Sequence, residues 1–481
     1  MDSTYSQNKI SETSTAEGAV RRSAVPVWKE RELSSELQNV KQRQHGVDVP
    51  FFILTMLILT FGVVMVFSAS YARLFYYSGD PMRLFIRQLI FAVSGVAIMV
   101  FVSRFNVRVF SRWSMMLLLV ALFLLAIVPF AGKEVNGAKR WLGVGDTSGG
   151  GFTFQPSEIA KLAVIMAYAR MITSFGNSRM STFKTGILPF GTITVVIVGL
   201  LILEPHISAS IIIIALTAIM LFAGGAQLRW FAIAGAALAI LLGIVVLMTL
   251  SSLNKQDAIQ DEQESIQSVI SDRTENMGYA GKRISAWLNP DNNPLSSGYQ
   301  IRQSLFAVGS GGVLGLGLGQ SRQKLLYLPE EHNDYIFAIV CEELGFVGAT
   351  LILLLFALLI IRGFWIAIHA KNRYSSLITI GITSLLAIQV FLNIGVVINL
   401  IPATGISLPF FSYGGTALWI QMVEMGIVLS VSREIPNEKT ERSERTERTK
   451  RTARAEQIEQ AEHVQRTEQA EHRQRTERAK V

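Results

Sequence analysis

The stretch YLPEEHNDYIFAIVCEELGFVG, Tyr327–Gly348, runs from a proline, a cluster of acids and a histidine straight into an apolar segment long enough to cross a bilayer. A carboxylate such as Asp334, at the mouth of a spanning helix, sits where water thins out. Desolvation and the helix N-terminus can therefore tune its protonation and reactivity. The plainer reading of the same acids is that they mark the end of a helix. Either way the segment describes a polar outer face meeting a membrane.

The rest of the chain agrees. Half of its 481 residues are hydrophobic and 17% are charged, with a mean hydropathy of +0.38, values that exclude an ordinary soluble domain of this length. Apolar runs fall near 50–71, 83–103, 112–131, 157–173, 187–203, 207–223, 228–250, 335–361, 376–399 and 415–432. Each approaches the ~20 residues that span hydrocarbon, so the fold class is an all-α polytopic membrane protein of about ten transmembrane helices. The first 48 residues are polar and mixed in charge, so the first apolar run is expected to act as the insertion signal.

Lysine and arginine set the orientation. They collect in the N-terminal segment, at Arg104, Arg108 and Arg112, at Arg170, Arg179 and Lys184, at Arg229, and at Arg362, Lys371 and Arg373. Those segments and both termini are predicted to be cytoplasmic. The outer face then receives 132–156, 204–206, 251–334 and 400–414, the third being a large loop between helices 7 and 8. Two of these loops carry Lys133, Lys139, Arg140, Lys282, Arg283, Arg302, Arg322 and Lys324 against the usual charge rule. Positive charge there predicts an anionic ligand. The net charge of +8 has the blander explanation of attraction to anionic lipid on the cytoplasmic side.

Three units follow. Residues 1–48 form a polar cytoplasmic extension with the composition of disorder, 49–432 the membrane domain with 251–334 inside it, and 433–481 a charged low-complexity cytoplasmic tail rich in Glu, Arg, Thr and Gln. The single Cys341 lies in an apolar helix and reads as packing. The six histidines are scattered without HExxH spacing, and GxxxxGK[ST] is absent, so neither a dedicated zinc site nor an ATP-driven pump is expected. Gly309, Gly311, Gly312, Gly315, Gly317 and Gly319 fit close backbone packing better than a phosphate loop.

Two further stretches carry chemistry. Asn136–Leu142 reads NGAKRWL, and Phe154–Leu162 reads FQPSEIAKL, where Pro156 and Ser157 suit a helix start. Glu158 and Lys161 lie three apart on one helical face, which makes an internal ion pair the simplest account. Ionisable residues near lipid are costly, however, and a functional role weighs about as much. Glu342 and Glu343, deeper in the helix after Asp334, are expected to need a buried partner.

The set NGAKRWL, FQPSEIAKL, GYQIRQSL with its following glycines, YLPEEHNDYIFAIVCEELGFVG and PFFSYGGT (Pro409–Thr416) resembles the SEDS (shape, elongation, division and sporulation) family over roughly residues 50–432, most of all its division-associated branch. The resemblance implies a peptidoglycan glycosyltransferase that polymerises lipid II on the outer face of the bacterial cytoplasmic membrane, at the division septum. It implies as partners a class B penicillin-binding protein, the cognate transpeptidase, and other divisome membrane proteins, with no nucleic acid. It places the essential acid on Asp334, the Arg-Trp of the short outer loop on Arg140 and Trp141, and the Glu and Lys of the next helix on Glu158 and Lys161. One departure is Glu204-Pro205-His206, where many relatives resemble Gln-Pro-Asp; any role resting on that acid is in doubt.

The chemistry suits these residues independently. Attack by a sugar hydroxyl on a polyprenyl pyrophosphate donor needs a base and positive charge for the leaving group. Asp334 is the predicted base, a contribution of about 10² to 10⁴ in rate. Arg140, Lys139 and Lys161, or a divalent cation such as Mg or Mn, are predicted to stabilise the pyrophosphate. No organic cofactor is expected. Arg283 and Arg302 are candidates for phosphate or donor-lipid contact, Glu330 and Glu331 for tuning Asp334, and Trp141 for packing on a sugar, although an interfacial Trp is often only an anchor. The competing readings are a lipid II flippase or transporter, a noncatalytic scaffold, and an elongation or sporulation paralogue of the same family.

Overall fold

In the computed structural model, the described residues are 46–135, 138–144, 152–204, 206–233, 235–236, 283, 286–288, 290 and 297–435. Ten helices are defined among them: α1 (Val49–Ser78), α2 (Arg83–Ser103), α3 (Val107–Ala131), α4 (Pro156–Met180), α5 (Leu188–Leu203), α6 (Ile207–Ala223), α7 (Ser297–Ser310), α8 (Ile336–Ile368), α9 (Arg373–Val397) and α10 (Gly415–Ser432). A π-helical turn, Phe183–Ile187, leads into α5. Eight helices are long and apolar enough to cross a membrane, and α6, at 17 residues, is shorter. The predicted span 228–250 lies mostly outside the described residues, as do the N-terminal extension before Gly46, the tail after Ile435, and most of 251–296.

Capping explains the start of α1. Asp48 sits in extended geometry and accepts a hydrogen bond from Phe51 N (2.9 Å), while Pro50 occupies the first turn. The same carboxylate receives Arg362 of α8, Nη2 to Oδ2 at 2.6 Å and Nε to Oδ1 at 3.1 Å. This pair marks the cytoplasmic level of the bundle. Helices pack closely where glycine removes a side chain: a Cβ at Gly95 would strike Met422, one at Gly415 the Phe91 ring, and one at Gly426 the Met99 carbonyl, so α2 and α10 lie backbone to backbone. Ile90, Phe101, Leu119, Phe123, Leu354 and Ile361 stay exposed on the outside of α2, α3 and α8, as a lipid-facing surface requires.

Helix α8 is broken at Gly345 (φ 66°, ψ −169°). The backbone groups freed there are taken by the glycine-rich segment after α7. Phe346 N donates to Gly312 O (2.9 Å) and Val347 N to Val313 O (3.1 Å), while Leu316 N and Gly317 N donate to Glu342 O and Glu343 O (3.0 Å each). A Cβ at Gly311 or Gly315 would collide with the Cys341 or Glu343 carbonyl. These glycines therefore serve close backbone packing, and Cys341 is buried within it.

The buried partner of Glu343 is Lys324. Its Nζ lies 2.7 Å from Glu343 Oε1, and Ser68 of α1 donates to the same carboxylate (2.6 Å to Oε2). Glu342 accepts from Ser321 Oγ and from Arg322 N (3.0 Å). About nineteen residues separate Glu343 from Arg362, or ~29 Å at 1.5 Å per residue, so this network stands at the outer edge of the ~30 Å hydrocarbon layer.

One element was not anticipated. Between α3 and α4 the outer loop folds into a three-stranded antiparallel sheet in the order β1-β2-β3: β1 (Lys133–Val135), β2 (Ala138–Val144) and β3 (Phe152–Phe154). Glu134 faces Lys139 across β1 and β2, and Leu142 faces Phe154 across β2 and β3.

Candidate active site

Asp334 lies two residues before α8 begins, and three successive carbonyls of its segment are held from outside. His332 O accepts from Tyr413 N (2.9 Å), Asn333 O from Ser412 Oγ (2.8 Å) and Asp334 O from Asn393 Nδ2 (2.8 Å). The last outer loop and α9 thus fix the backbone that carries the acid. Ser412 also accepts from Leu408 N (2.7 Å), so one hydroxyl closes the 408–412 turn and grips the Asp334 segment. Glu330 adopts a left-handed conformation (φ 58°) and accepts from Asn333 Nδ2 at 2.6 Å, strain of the kind a functional turn retains.

The Asp334 side chain points at Gly405 (φ 70°). A Cβ built there would stand 3.3 Å from Asp334 Oδ2 and 3.5 Å from Arg283 Nη1. Arg283 in turn donates to Ala403 O (2.8 Å). A bare glycine therefore makes room for a carboxylate and a guanidinium on one side of a turn. Burial pushes the Asp334 carboxyl up to about 6, with the adjacent Glu330 adding to the effect; Arg283, Arg140 and His332 pull in the opposite direction.

Arg140 reaches this centre from β2. Side chains alternate along a strand, so Lys139 and Trp141 take the face opposite to Arg140. Lys139 is exposed, across the ladder from Glu134, and Trp141 sits opposite Lys133. The charge of Arg140 acts on Asp334, Glu204 and His206 alike. Glu204 is buried, and neither carboxylate oxygen has a hydrogen-bond partner among the described residues; burial pushes it up to about 8, with Arg140 pulling it down. His206, expected near the outer surface, is buried as well. Burial, Arg140 and Lys161 push it down to about 3, so it is neutral across the physiological range.

Glu158 and Lys161, in the first turn of α4, form the predicted ion pair (2.7 Å). They stand beside His206, not within the Asp334 and Gly405 cluster. Glu331 turns to Arg73 of α1 (3.3 Å) and His332 (3.6 Å), so Glu330 alone of the two acts on Asp334. Arg302 lies on α7 two residues before Ser304, whose hydroxyl bonds Val397 O (2.8 Å), while the charges acting on Asp334 are those of Glu330, Arg283, Arg140 and His332. Among the described residues, no three His, Cys, Asp or Glu side chains gather as a ligand set for a metal ion.

Asp334 precedes α8 and Arg362 lies near the other end of that helix, so the two stand toward opposite ends of the span. Fold and site together define a polytopic membrane protein that gathers a carboxylate and a guanidinium, with the charge of Arg140 acting on them, at the end of α8 opposite Arg362.

Residues 49–437 match the family model for FtsW, RodA and SpoVE, described as a cell cycle protein, and the chain belongs to that family. It is 40% identical over 388 residues to stage V sporulation protein E of Bacillus subtilis, covering 80% of this chain and 97% of the relative. It is 36% identical over 387 residues to the probable peptidoglycan glycosyltransferase FtsW of Trichlorobacter lovleyi, covering 80% and 93%. Among solved structures, a chain of a peptidoglycan synthase complex that coordinates polymerization and crosslinking matches with a TM-score of 0.60 at 26% identity, over 82% of this chain and 99% of that one. The rod shape determining protein RodA of Thermus thermophilus shares the fold, with a TM-score of 0.55.

Proposed function

We infer that this family member joins the sugars of lipid II into glycan strands on the outer face of the cytoplasmic membrane, with Asp334 as the base. The chain is a peptidoglycan glycosyltransferase. The observation that carries the assignment of roles is the meeting of Asp334 and Arg283 at Gly405, with the charge of Arg140 also acting on Asp334. The acceptor hydroxyl oxygen attacks the anomeric carbon of the donor and its proton passes to Asp334. The bond from that carbon to the pyrophosphate oxygen breaks, and the anomeric centre inverts. Arg283 and Arg140 hold the charge that develops on the departing polyprenyl pyrophosphate.

A Mg2+ or Mn2+ ion would enter with the pyrophosphate and be held chiefly by its phosphate oxygens, leaving Asp334 as the base. The partner expected is a class B penicillin-binding protein, with other divisome membrane proteins, at the septum. The match to a sporulation protein at 40% identity favours, as a second reading, the same reaction during spore formation. A flippase is disfavoured because the gathered charges lie at one face, whereas an alternating-access carrier places its site near the midplane.

The test is polymerisation of purified lipid II by the reconstituted full chain, with and without its class B partner, wild type against Asp334→Asn. Glycan strands from wild type alone support the reading. Strands from both would move the base elsewhere, and strands from neither, with the partner present and the protein folded, would return the flippase and scaffold.

A further inference from the structure

Asn393 is fully buried on α9, and its one amide group holds two separate pieces of the site. Nδ2 donates to Asp334 O and to Ile406 O, both at 2.8 Å. Ile406 follows Gly405, against which both Asp334 Oδ2 and the Arg283 guanidinium rest, and Arg283 is anchored to the same turn through Ala403 O. The bonds from Ser412 and Tyr413 tie the Asp334 segment to 412–413, not to the 403–406 turn. We propose that Asn393 is a positioning residue: its two N–H groups set the separation between the carboxylate that takes the proton and the guanidinium that faces the leaving group.

The arrangement has a physical logic. Asp334 precedes α8 and Arg283 lies far earlier in the chain, so nothing covalent fixes one against the other. A helical residue is a stiffer reference than either loop, and a misplacement of about 1 Å at a reacting centre costs on the order of 10²-fold. Both amide hydrogens are spent on backbone carbonyls, and Oδ1 is buried without a hydrogen-bond partner among the described residues, so the recorded bonds of Asn393 are all to backbone. Its effect passes through the position of Asp334 and Arg283.

This inference rests on the reading of Asp334 as the base, and its test keeps the two apart. The full chain with its class B partner is assayed on lipid II as wild type, Asp334→Asn, Asn393→Ala, Asn393→Ser, Arg283→Gln and the Asn393→Ala/Arg283→Gln double variant. Thr379→Val, which removes another buried hydrogen-bonding group from α9, is the control. The expected result is a fall in kcat of tenfold or more for Asn393→Ala with KM within twofold. Asn393→Ser, which keeps one donor, falls in between, and Thr379→Val matches wild type. Arg283→Gln should cost several-fold less in the Asn393→Ala background, as coupled sites require.

Wild-type kcat in Asn393→Ala, with Asp334→Asn inactive, would overturn the positioning role alone, as would independent, multiplying effects of Asn393→Ala and Arg283→Gln. An active Asp334→Asn would overturn both readings. Should Asn393→Ala fail to fold, the kcat of Asn393→Ser and its coupling to Arg283→Gln decide the matter in the same way.

Discussion

Gly405 stands flush against Asp334: one carbon added to its Cα would come to 3.3 Å from Oδ2, while the backbone there is already left-handed at φ 70°. Gly405→Ala therefore carries two penalties, the left-handed conformation at about 1–2 kcal/mol and a displaced carboxylate. Turnover of lipid II should drop at least tenfold, with a small fall in Tm. Unchanged kcat would mean that Asp334 and Arg283 do not act from the positions described.

The raised Asp334 carboxyl ties activity and stability to pH in opposite senses. A base must be ionised, so kcat should climb as pH passes through about 6. Stability runs the other way. Between the ordinary value of 3.8 and about 6 the unfolded chain ionises first, so native stability is lost as pH rises, by up to about 3 kcal/mol once the native carboxyl ionises. Asp334→Asn should thus be inactive yet more heat-resistant than wild type at pH 8, and equal to it near pH 3, as thermal unfolding in detergent at the two pH values would reveal.

Glu204 offers a second titration, displaced to higher pH. Its carboxyl, pushed up to about 8, is neutral in the native state at pH 7, so Glu204→Gln should leave activity at pH 7 unchanged. The variant should grow more stable relative to wild type from pH 4.5 to 8 and hold a constant margin above, because only the wild type must ionise a buried acid. A large loss of activity at pH 7 would show instead that the ionised form is the working one.

Lys324 and Glu343 are both almost wholly buried and 2.7 Å apart. Lys324→Met strands the carboxylate and should cost about 3–5 kcal/mol, read as a lowered Tm or loss of monodisperse protein. Adding Glu343→Gln should recover much of it. Additive losses would mean the pair is not an isolated unit, with Ser68 and Ser321 carrying more of the network.

Chelation tests the proposed ion. Without a three-residue ligand set among the described residues, EDTA should stop polymerisation without unfolding the protein, and excess Mg2+ should restore it. A chelator that lowers Tm would indicate a resident structural ion.

Much of this was legible in the chain itself. Apolar length announces spans, and Glu158 with Lys161, three residues apart, announces its own ion pair, because both signals are local. Asp334 stood out because an acid at the mouth of an apolar helix is costly. The small sheet was missed: its strands are short and interrupted, and their pairing depends on turns rather than on pattern. Asn393 and Gly405 were missed for a different reason. Their importance lies in contacts across α8, α9 and the 403–406 turn, and Asn393 is one of several buried polar residues on α9, beside Thr379, Thr383 and Gln389, so its sequence position did not single it out.

The break at Gly345 bears on how the protein is made. Carbonyl and amide groups left open in mid-helix cannot enter hydrocarbon unsatisfied, and the segment that satisfies them, Gly312–Gly317, leaves the ribosome just ahead of α8. The expectation is that the two leave the translocation machinery together, so that the open backbone groups meet each other before hydrocarbon. Membrane insertion of this region is thereby a folding step as well as a delivery step, and a nascent chain stalled between residues 317 and 345 should linger in the translocon.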